Sequence, residues 1–313
     1  MASVDVSAVV VSWNVADYLS LCLESLRAEA GGASSPDLEV IVVDNASADA
    51  TLDLVRTSFP EVRILSNQDN LGFTRANNQG MAVASGRYVL LINPDAELLP
   101  GALGTMVAYL DEHPEVGVLG PQLLNSDGTH QSSRRRFPTL ATAFVESTVL
   151  QRYFPNSRIV RRYYCADLPP DEIEEVDWLV GACLLVSRRA IEQVGLLDEQ
   201  FFMYSEELDW CYRMKKVGWR VVYLPEAQVV HHYAKSSSQD LAYQHIRFQD
   251  SKCRYFAKHH GRPLAASLRC FLWLTYLFQL GREGVKYLLG HKRSLRRRRL
   301  GLILQVLRSG LRA

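Results

Sequence analysis

A short apolar run, Tyr88 to Ile92, fixes the frame into which the rest of this chain must fit. It is rich in strand-forming residues, unbroken by any polar side chain, and flanked by Gly86 and Pro94. Such a run reads as a strand buried on both faces of a parallel sheet. It ends abruptly at Asn93-Pro94-Asp95, so Asp95 is expected just beyond the strand's C-terminal end. In open α/β sheets ligands bind along that edge. A carboxylate released there from the sheet's own hydrogen bonds is suited to holding a hard divalent cation. The same three residues would also make an ordinary Asx turn.

The flanking sequence extends the pattern. Apolar, β-branched runs at Val6–Ser12, Leu38–Val43 and Val62–Leu65 alternate with helical spacing over 17–30, 51–59 and 76–84. In the first helix the apolar positions are Tyr18, Leu21, Cys22, Ser25 and Leu26. Alternation of this kind predicts βαβ units and a doubly wound, mostly parallel sheet. Right-handed crossovers then bring the strand ends to one rim. That rim gathers Ser12-Trp13-Asn14, Asp44-Asn45, Asn67 to Asn70 and Asn93-Pro94-Asp95. It suits a nucleotide, yet Ser12 to Asp17 carries neither the Gly-x-G-x-x-G turn of dinucleotide enzymes nor a Walker A loop. Without a glycine cradle, a metal at Asp95 is the natural means of neutralising phosphates.

Beyond the central strand, 101–112 reads as a helix and Val116–Leu119 as a strand. The polar segment 125–138 carries Arg134-Arg135-Arg136, either a solvated loop or a mobile one that meets phosphate or an anionic acceptor. Residues 140–176 have mixed periodicity and read as an irregular insert. Trp178–Val186 is a second long apolar run, in which Gly181 and Ala182 imply close approach of the backbone to a ligand or another element. A short helix follows over Ser187–Val194.

Next comes an aromatic cluster, Phe201-Phe202-Met203-Tyr204, and a helix starting near Ser205 with Glu206, Glu207 and Asp209 in its first turn. Acids at a helix N-terminus are favourable through charge–dipole interaction alone. Acids crowded against aromatic walls are also how a general base of raised pKa is built. Trp219–Leu224 is the last strand, and His231 follows Pro225-Glu226-Ala227, so that it returns to the same rim or serves a structural role.

Composition narrows the class. Apolar content of 48% and charged content of 22% over 313 residues are those of a globular protein with an ample core. The six cysteines, at 22, 165, 183, 211, 253 and 270, contain no CxxC pair. That favours reduced, buried thiols in a cytosolic setting over a zinc site or disulfide framework. The Met-Ala-Ser-Val-Asp start has no basic or apolar region typical of a secretory signal.

Val9 to Asn14, Val42 to Ser47, Asn70 to Asn78, Asn93-Pro94-Asp95, Gly181-Ala182-Cys183 and Phe201 to Asp209 together resemble family 2 glycosyltransferases of the GT-A fold. Within that family the chain is most similar to the bacterial rhamnosyltransferase-like branch that builds cell-surface polysaccharide. The resemblance runs from about residue 5 to 235 and implies a catalytic domain over 1–235. Its nucleotide-sugar half would be 1–120 and its acceptor half 121–235, with a helical extension over 236–313. The resemblance further implies inverting transfer from a nucleotide-diphospho-sugar to a hydroxyl, with rhamnose from a dTDP donor as the expected sugar and UDP- or GDP-sugars as the alternative. Ser12, Asn14, Asp44, Asn45, Gly72, Arg75, Asn77, Asn93 and Asp95 would form the nucleotide-sugar site. Asp95 matches the metal-binding acid of the Asp-x-Asp motif, whose first Asp is here Asn93, and His231 matches a further ligand for Mg or Mn. Glu207 matches the catalytic base, with Glu206 and Asp209 as neighbours able to exchange roles with it. Trp178, Gly181 and Ala182 would line the acceptor side.

The C-terminal region changes character. Residues 240–260 read as a helix, and the apolar stretch Cys270–Leu280 is shorter than the about 20 residues a membrane span requires. It is followed by Lys292-Arg293 and Arg296 to Arg299. Apolar helices with a Trp and clustered Arg fit a peripheral position on an anionic inner leaflet, where a lipid-linked or polysaccharide acceptor would be met. Packing on the catalytic domain or on a second subunit is the alternative. Interleaved leucines speak against nucleic acid as a partner. A non-catalytic nucleotide-sugar-binding or scaffold protein is the rival from outside the enzymes, and it leaves the acids at 206, 207 and 209 without a task.

Overall fold

The computed structural model describes residues 4–30, 35–232 and 241–312. The chain divides into two compact units. The first comprises Met1–Phe137, Tyr164–Glu199 and Glu206–Ser236; the second comprises Pro138–Tyr163, Gln200–Ser205 and Ser237–Ala313.

The first unit opens with the expected alternation: β1 (Val6–Ser12), α1 (Ala16–Glu29), β2 (Leu38–Asp44), α2 (Thr51–Ser58), β3 (Arg63–Ser66), α3 (Phe73–Val83) and β4 (Tyr88–Ile92). It continues through β5 (Ala96–Leu98), α4 (Ala102–Glu112), β6 (Val116–Leu124), β7 (His130–Gln131) and β8 (Arg134–Arg135). The short helices α5 (Leu140–Val145), α6 (Val149–Tyr153) and α7 (Arg158–Tyr163) belong to the second unit. The chain returns to the first with β9 (Glu174–Glu175), β10 (Trp178–Leu179), β11 (Cys183–Ser187), α8 (Arg188–Val194), α9 (Glu206–Lys216) and β12 (Arg220–His231). Three helices close the second unit: α10 (Leu241–His260), α11 (Arg262–Leu288) and α12 (Arg293–Arg308).

Among the described residues the main sheet has ten strands, with a central order β3-β2-β1-β4-β11-β6-β12-β5. Strands β1 to β4 are mutually parallel, and β6 is parallel to β12. Strand β11 runs antiparallel between β4 and β6, and β5 antiparallel beside β12. The sheet is therefore mixed and mostly parallel. Every residue of β1 and β4 is buried, which is why β4 reads as an unbroken apolar run and β1 as one interrupted only by Ser7 before it ends at Ser12.

Helices cover both faces. Val6, Ala8 and Val10 join Leu19, Leu23, Leu26, Leu103 and Met106 in one core under α1 and α4. Leu21 of α1 instead points outward, because the buried stripe runs through Leu19, Cys22, Leu23 and Leu26. On the other face α3 comes so close that a Cβ on Gly80 would overlap the Val9 side chain. Glu29 ties α1 to α4 by accepting from Gly101 N (2.7 Å) and Leu103 N (2.8 Å), satisfying amides that a helix start leaves open.

Several expectations need correcting. Helix α3 begins at Phe73, three residues before the expected Ala76, because Asn70 accepts from Gly72 N and Gly72 (φ +89°) turns the chain into the helix. The run Trp178–Val186 is two strands in different sheets, β10 pairing with β8 and β11 with β4. Strand β12 continues past Pro225 to His231, since a register shift between Leu224 and Gln228 accommodates the proline. Arg134 is neither solvated nor mobile. It is buried, donates to Pro169 O (2.6 Å) and Leu168 O (3.1 Å), and stacks over Tyr223. The apolar stretch near Cys270 lies inside a 27-residue helix that is long and apolar enough to cross a membrane.

Candidate active site

Strand ends build the site. Ser12 and Asp44 close β1 and β2 as register partners, and both are buried. Among the described residues Ser12 Oγ and Asp44 Oδ1 have no hydrogen-bond partner; Asp44 Oδ2 accepts from Ser47 N at 3.2 Å. Unmet buried polar atoms are costly, so a pair of them at this rim marks a candidate place for a ligand. Thr74, at the start of α3, carries another such hydroxyl. It lies within the Asn70–Asn78 motif, but only its burial singles it out.

The loops around this pair are stitched together. Asn14 (φ +55°) donates its amide N–H to Ser47 Oγ and accepts from Ala48 N at 2.7 Å. Asn45 is fully used within the protein. Its amide donates to Asn70 Oδ1 and Gly72 O, and its carbonyl accepts from Leu71 N and Asn67 Nδ2, each at 3.1 Å. It thereby fixes the 67–72 loop. Asn77 is buried and donates back to Phe73 O on its own helix. Arg75 is half exposed and paired with Glu199 at 3.0 Å.

The metal candidates converge at the end of β4. Asp95 and His231 are both buried, and His231 Nε2 lies 3.4 Å from Asp95 Oδ1 and 3.3 Å from Asn93 Nδ2. His231 Nδ1 is 2.6 Å from Oε1 of Gln131, a residue the sequence did not single out. The Gln131 amide nitrogen donates to Asn125 Oδ1 (2.8 Å) and His231 O (3.1 Å), so its oxygen is the atom that faces the ring. Nδ1 therefore carries a proton, and Nε2 is the ring nitrogen turned toward Asp95. Among the described residues there is no cluster of three His, Cys, Asp or Glu side chains arranged for a metal. One carboxylate and one imidazole fit an ion that takes its other ligands from water and a diphosphate.

The three acids of α9 separate. Asp209 is buried and bonded to Arg213 Nε at 2.8 Å, and that arginine also ties down Val194 O and Leu196 O. Its carboxylate is committed to the fold. Glu206 is buried and Glu207 half-buried, and each has an Oε2 with no partner among the described residues. Burial, reinforced by the neighbouring Glu207 charge, pushes Glu206 well above the ordinary carboxylate range. Burial also raises Glu207, but N–H groups of Glu207, Gly181 and Leu208, together with the Arg135 charge, act in the opposite direction. Burial thus favours the neutral form of both acids, and Glu207 has the larger set of groups holding its charged form. Tyr204 and Ser205, which lead into the helix, have φ of +69° and +66°, a strained pair that fixes where the helix begins.

A two-residue segment, Gly181-Ala182, joins the two centres. Gly181 N–H faces the Glu207 carboxylate, and a Cβ at Gly181 would stand 3.6 Å from Glu207 Cγ. The next residue, Ala182, accepts from Asn93 N at 2.9 Å. Trp178 is buried, with its indole N–H on Arg136 O at 3.1 Å. Arg135 stacks over Tyr164 and reaches toward the Trp178 ring, beside the acid pair.

The comparisons with known proteins agree with this architecture. The model of glycosyl transferase family 2 matches residues 7–169, and the chain belongs to that family. N-acetylglucosaminyl-diphospho-decaprenol L-rhamnosyltransferase of Mycobacterium tuberculosis (strain ATCC 25618 / H37Rv) is 34% identical over 258 residues, spanning 79% of this chain and 83% of the relative. Rhamnosyltransferase WbbL of Escherichia coli (strain K12) is 26% identical over 259 residues, 80% of this chain and 92% of the relative. Among solved structures, mannosyltransferase PcManGT from Pyrobaculum calidifontis in complex with GDP-Man and Mn2+ superposes with a TM-score of 0.57 at 18% identity. It covers 98% of this chain and 86% of that one, and at that identity the likeness concerns the fold. The fold is GT-A, α/β with a helical C-terminal extension, and the protein is a rhamnosyltransferase-like glycosyltransferase.

Proposed function

We propose that this protein is an inverting, metal-dependent transferase that moves rhamnose from dTDP-rhamnose to a lipid-linked or polysaccharide acceptor in cell-surface glycan synthesis. The observation that carries the reading is the two-residue segment Gly181-Ala182, which links Glu207 to Asn93 beside Asp95 and His231. It supports a carboxylate on one side of a sugar and a charge-neutralising centre on the other. The name of the mycobacterial relative makes a GlcNAc-diphospho-polyprenol the first acceptor to test. Residues 1–120 would serve mainly the donor and 121–235 the acceptor, with 236–313 as the extension. We infer a cytoplasmic enzyme, peripheral at the inner face of the membrane.

In this reading the acceptor hydroxyl attacks the anomeric carbon from the face opposite the diphosphate. The new C–O bond forms as the old one breaks, and the hydroxyl proton passes to Glu207 Oε2, the oxygen left without a partner. Glu206, neutral in the pair, keeps a second negative charge away from the incoming diphosphate. Mg or Mn, held by Asp95 and His231 Nε2, would neutralise charge growing on the leaving diphosphate. Ser12 Oγ, Asp44 Oδ1 and Thr74 Oγ1 would meet the nucleoside. Asn45 and Asn14 would act at one remove, by holding the loops that carry those contacts.

A donor panel of dTDP-rhamnose, UDP-GlcNAc, UDP-galactose and GDP-mannose, each with Mg or Mn, tests the proposal through thermal stabilisation and slow hydrolysis. Stabilisation by dTDP-rhamnose alone, lost in EDTA and in Asp95→Ala, is expected. Selective response to a UDP- or GDP-sugar overturns the donor. Binding without turnover, even with acceptor supplied, favours a non-catalytic binder.

A further inference from the structure

We propose that the second unit docks in the plane of an anionic bilayer through one face of α11, with the basic start of α12 engaging lipid phosphates. This deepens the reading above by naming a surface that brings the enzyme to a lipid-linked acceptor.

The outward face of α11 is apolar. After the exposed Arg262 and Pro263 of its first turn, the exposed positions are Ala266, Ser267, Cys270, Trp273, Leu274, Leu277, Phe278, Gly281, Val285 and Leu288, spaced three and four apart along one stripe. The stripe carries no charge, covers about 140° of the helix and runs for roughly 33 Å. Leu274 and Phe278 are each 54% exposed, and Leu288 is 77% exposed. A soluble helix normally shows the reverse arrangement. Here the charges lie on the flanks or inside: Glu283 is buried against Arg296 of α12, and Arg269 bonds Asp250 of α10 at 2.9 Å. An apolar face of this length on a soluble surface implies a partner.

Charge identifies that partner. No acidic residue follows Glu283, while Lys292, Arg293, Arg297, Arg298, Arg299 and Arg308 are all exposed. A two-fold pairing of this surface with a second copy would bring these cations together without counter-charge. Anionic headgroups beside an apolar layer supply both complements. The helix is long enough to cross a membrane, but its inner face carries Glu283 with Arg296 and Arg269 with Asp250, groups expensive to place in hydrocarbon. Lying in the interface keeps those pairs within the protein and buries only the stripe.

Flotation of the full-length protein with vesicles of phosphatidylcholine alone, or with about a third phosphatidylglycerol, tests this without donor or acceptor. It therefore stands or fails apart from sugar transfer. Binding to the anionic vesicles is expected, weakening with salt and dropping at least tenfold in Leu274→Glu/Phe278→Glu. Both sites are exposed, and unchanged thermal unfolding would confirm that the variant folds. Arg297→Glu/Arg298→Glu should lose the preference for phosphatidylglycerol. Wild-type protein that stays unbound, or an apolar variant that floats like wild type, overturns the proposal. So does retention on membranes through alkaline carbonate, which means a span. A dimer in light scattering that Leu274→Glu/Phe278→Glu dissolves assigns the stripe to a second copy and likewise overturns it.

Discussion

Gln131 Oε1 sits 2.6 Å from His231 Nδ1, and this contact decides which nitrogen of the histidine faces Asp95. The glutamine cannot turn over without losing its bonds to Asn125 and His231 O. It therefore acts as a positioning residue for the imidazole.

Gln131→Leu is expected to weaken Mn2+ binding by about 10- to 100-fold, the usual cost of removing a partner behind a metal ligand. Gln131→Glu, which still accepts from Nδ1, should recover much of it. Mn2+ titration followed by electron paramagnetic resonance, with nucleoside diphosphate present and no acceptor, reads this apart from turnover. Equal affinity in all three proteins removes the assignment.

Glu207→Gln should lower kcat by about 10²- to 10⁴-fold with the fold intact, as loss of a general base does. Because burial raises Glu207, activity in the wild type should fall as pH drops through a midpoint above 4.5, the ordinary glutamate value. Glu206→Gln mimics the neutral partner, so it should leave that acid limb in place and retain most activity. A Glu207→Gln enzyme of near-normal rate would sink the base assignment.

The same pair predicts a stability effect. Glu206 holds its proton in the folded state above 4.5, where the unfolded chain releases it. The folded form then binds more protons, and this group's contribution falls as pH rises through the carboxylate range. Glu206→Gln removes that penalty. The melting temperature of the variant relative to wild type should climb from pH 4.5 to pH 7, and a flat difference would contradict the raised pKa.

Asp209→Asn should act on stability. Its carboxylate neutralises Arg213, which in turn ties down two backbone carbonyls of the α8–α9 connection. A loss of about 1–3 kcal/mol in urea unfolding, with KM and kcat near wild type, is the expected outcome.

Asn45→Asp tests the loop anchor. The substitution removes the amide donations to Asn70 Oδ1 and Gly72 O and sets a carboxylate against those oxygens. Donor affinity, measured by calorimetry with the nucleoside diphosphate, should fall along with the melting temperature.

Much of this protein was legible in its residues. Four parallel strands, their order along the chain and the clustering of Ser12, Asp44 and Asp95 at strand ends follow from apolar runs that stop abruptly at polar residues. Burial on both faces of a strand leaves a local trace, and so does the start of α9 at the acids. What escaped were choices between equivalent local signals. Trp178–Val186 is uniformly apolar, yet it changes sheets in its middle, because hydrophobicity records burial and not the identity of the partner. Arg134 and Gln131 lie in one polar stretch, and only contacts to residues far along the chain make the first a core cation and the second the support of a histidine.

The sequence alone determined the class of fold, the rim that gathers the candidate site residues, and the types of side chain available there, since each depends on composition and spacing over a few residues. Tertiary structure decided how those side chains are used. It gave Asp209 to Arg213, left Glu207 with an open oxygen, set the tautomer of His231, and turned the apolar face of α11 outward. Each of these depends on which groups meet across the fold, and a hydrogen bond or a buried charge is defined by its partner.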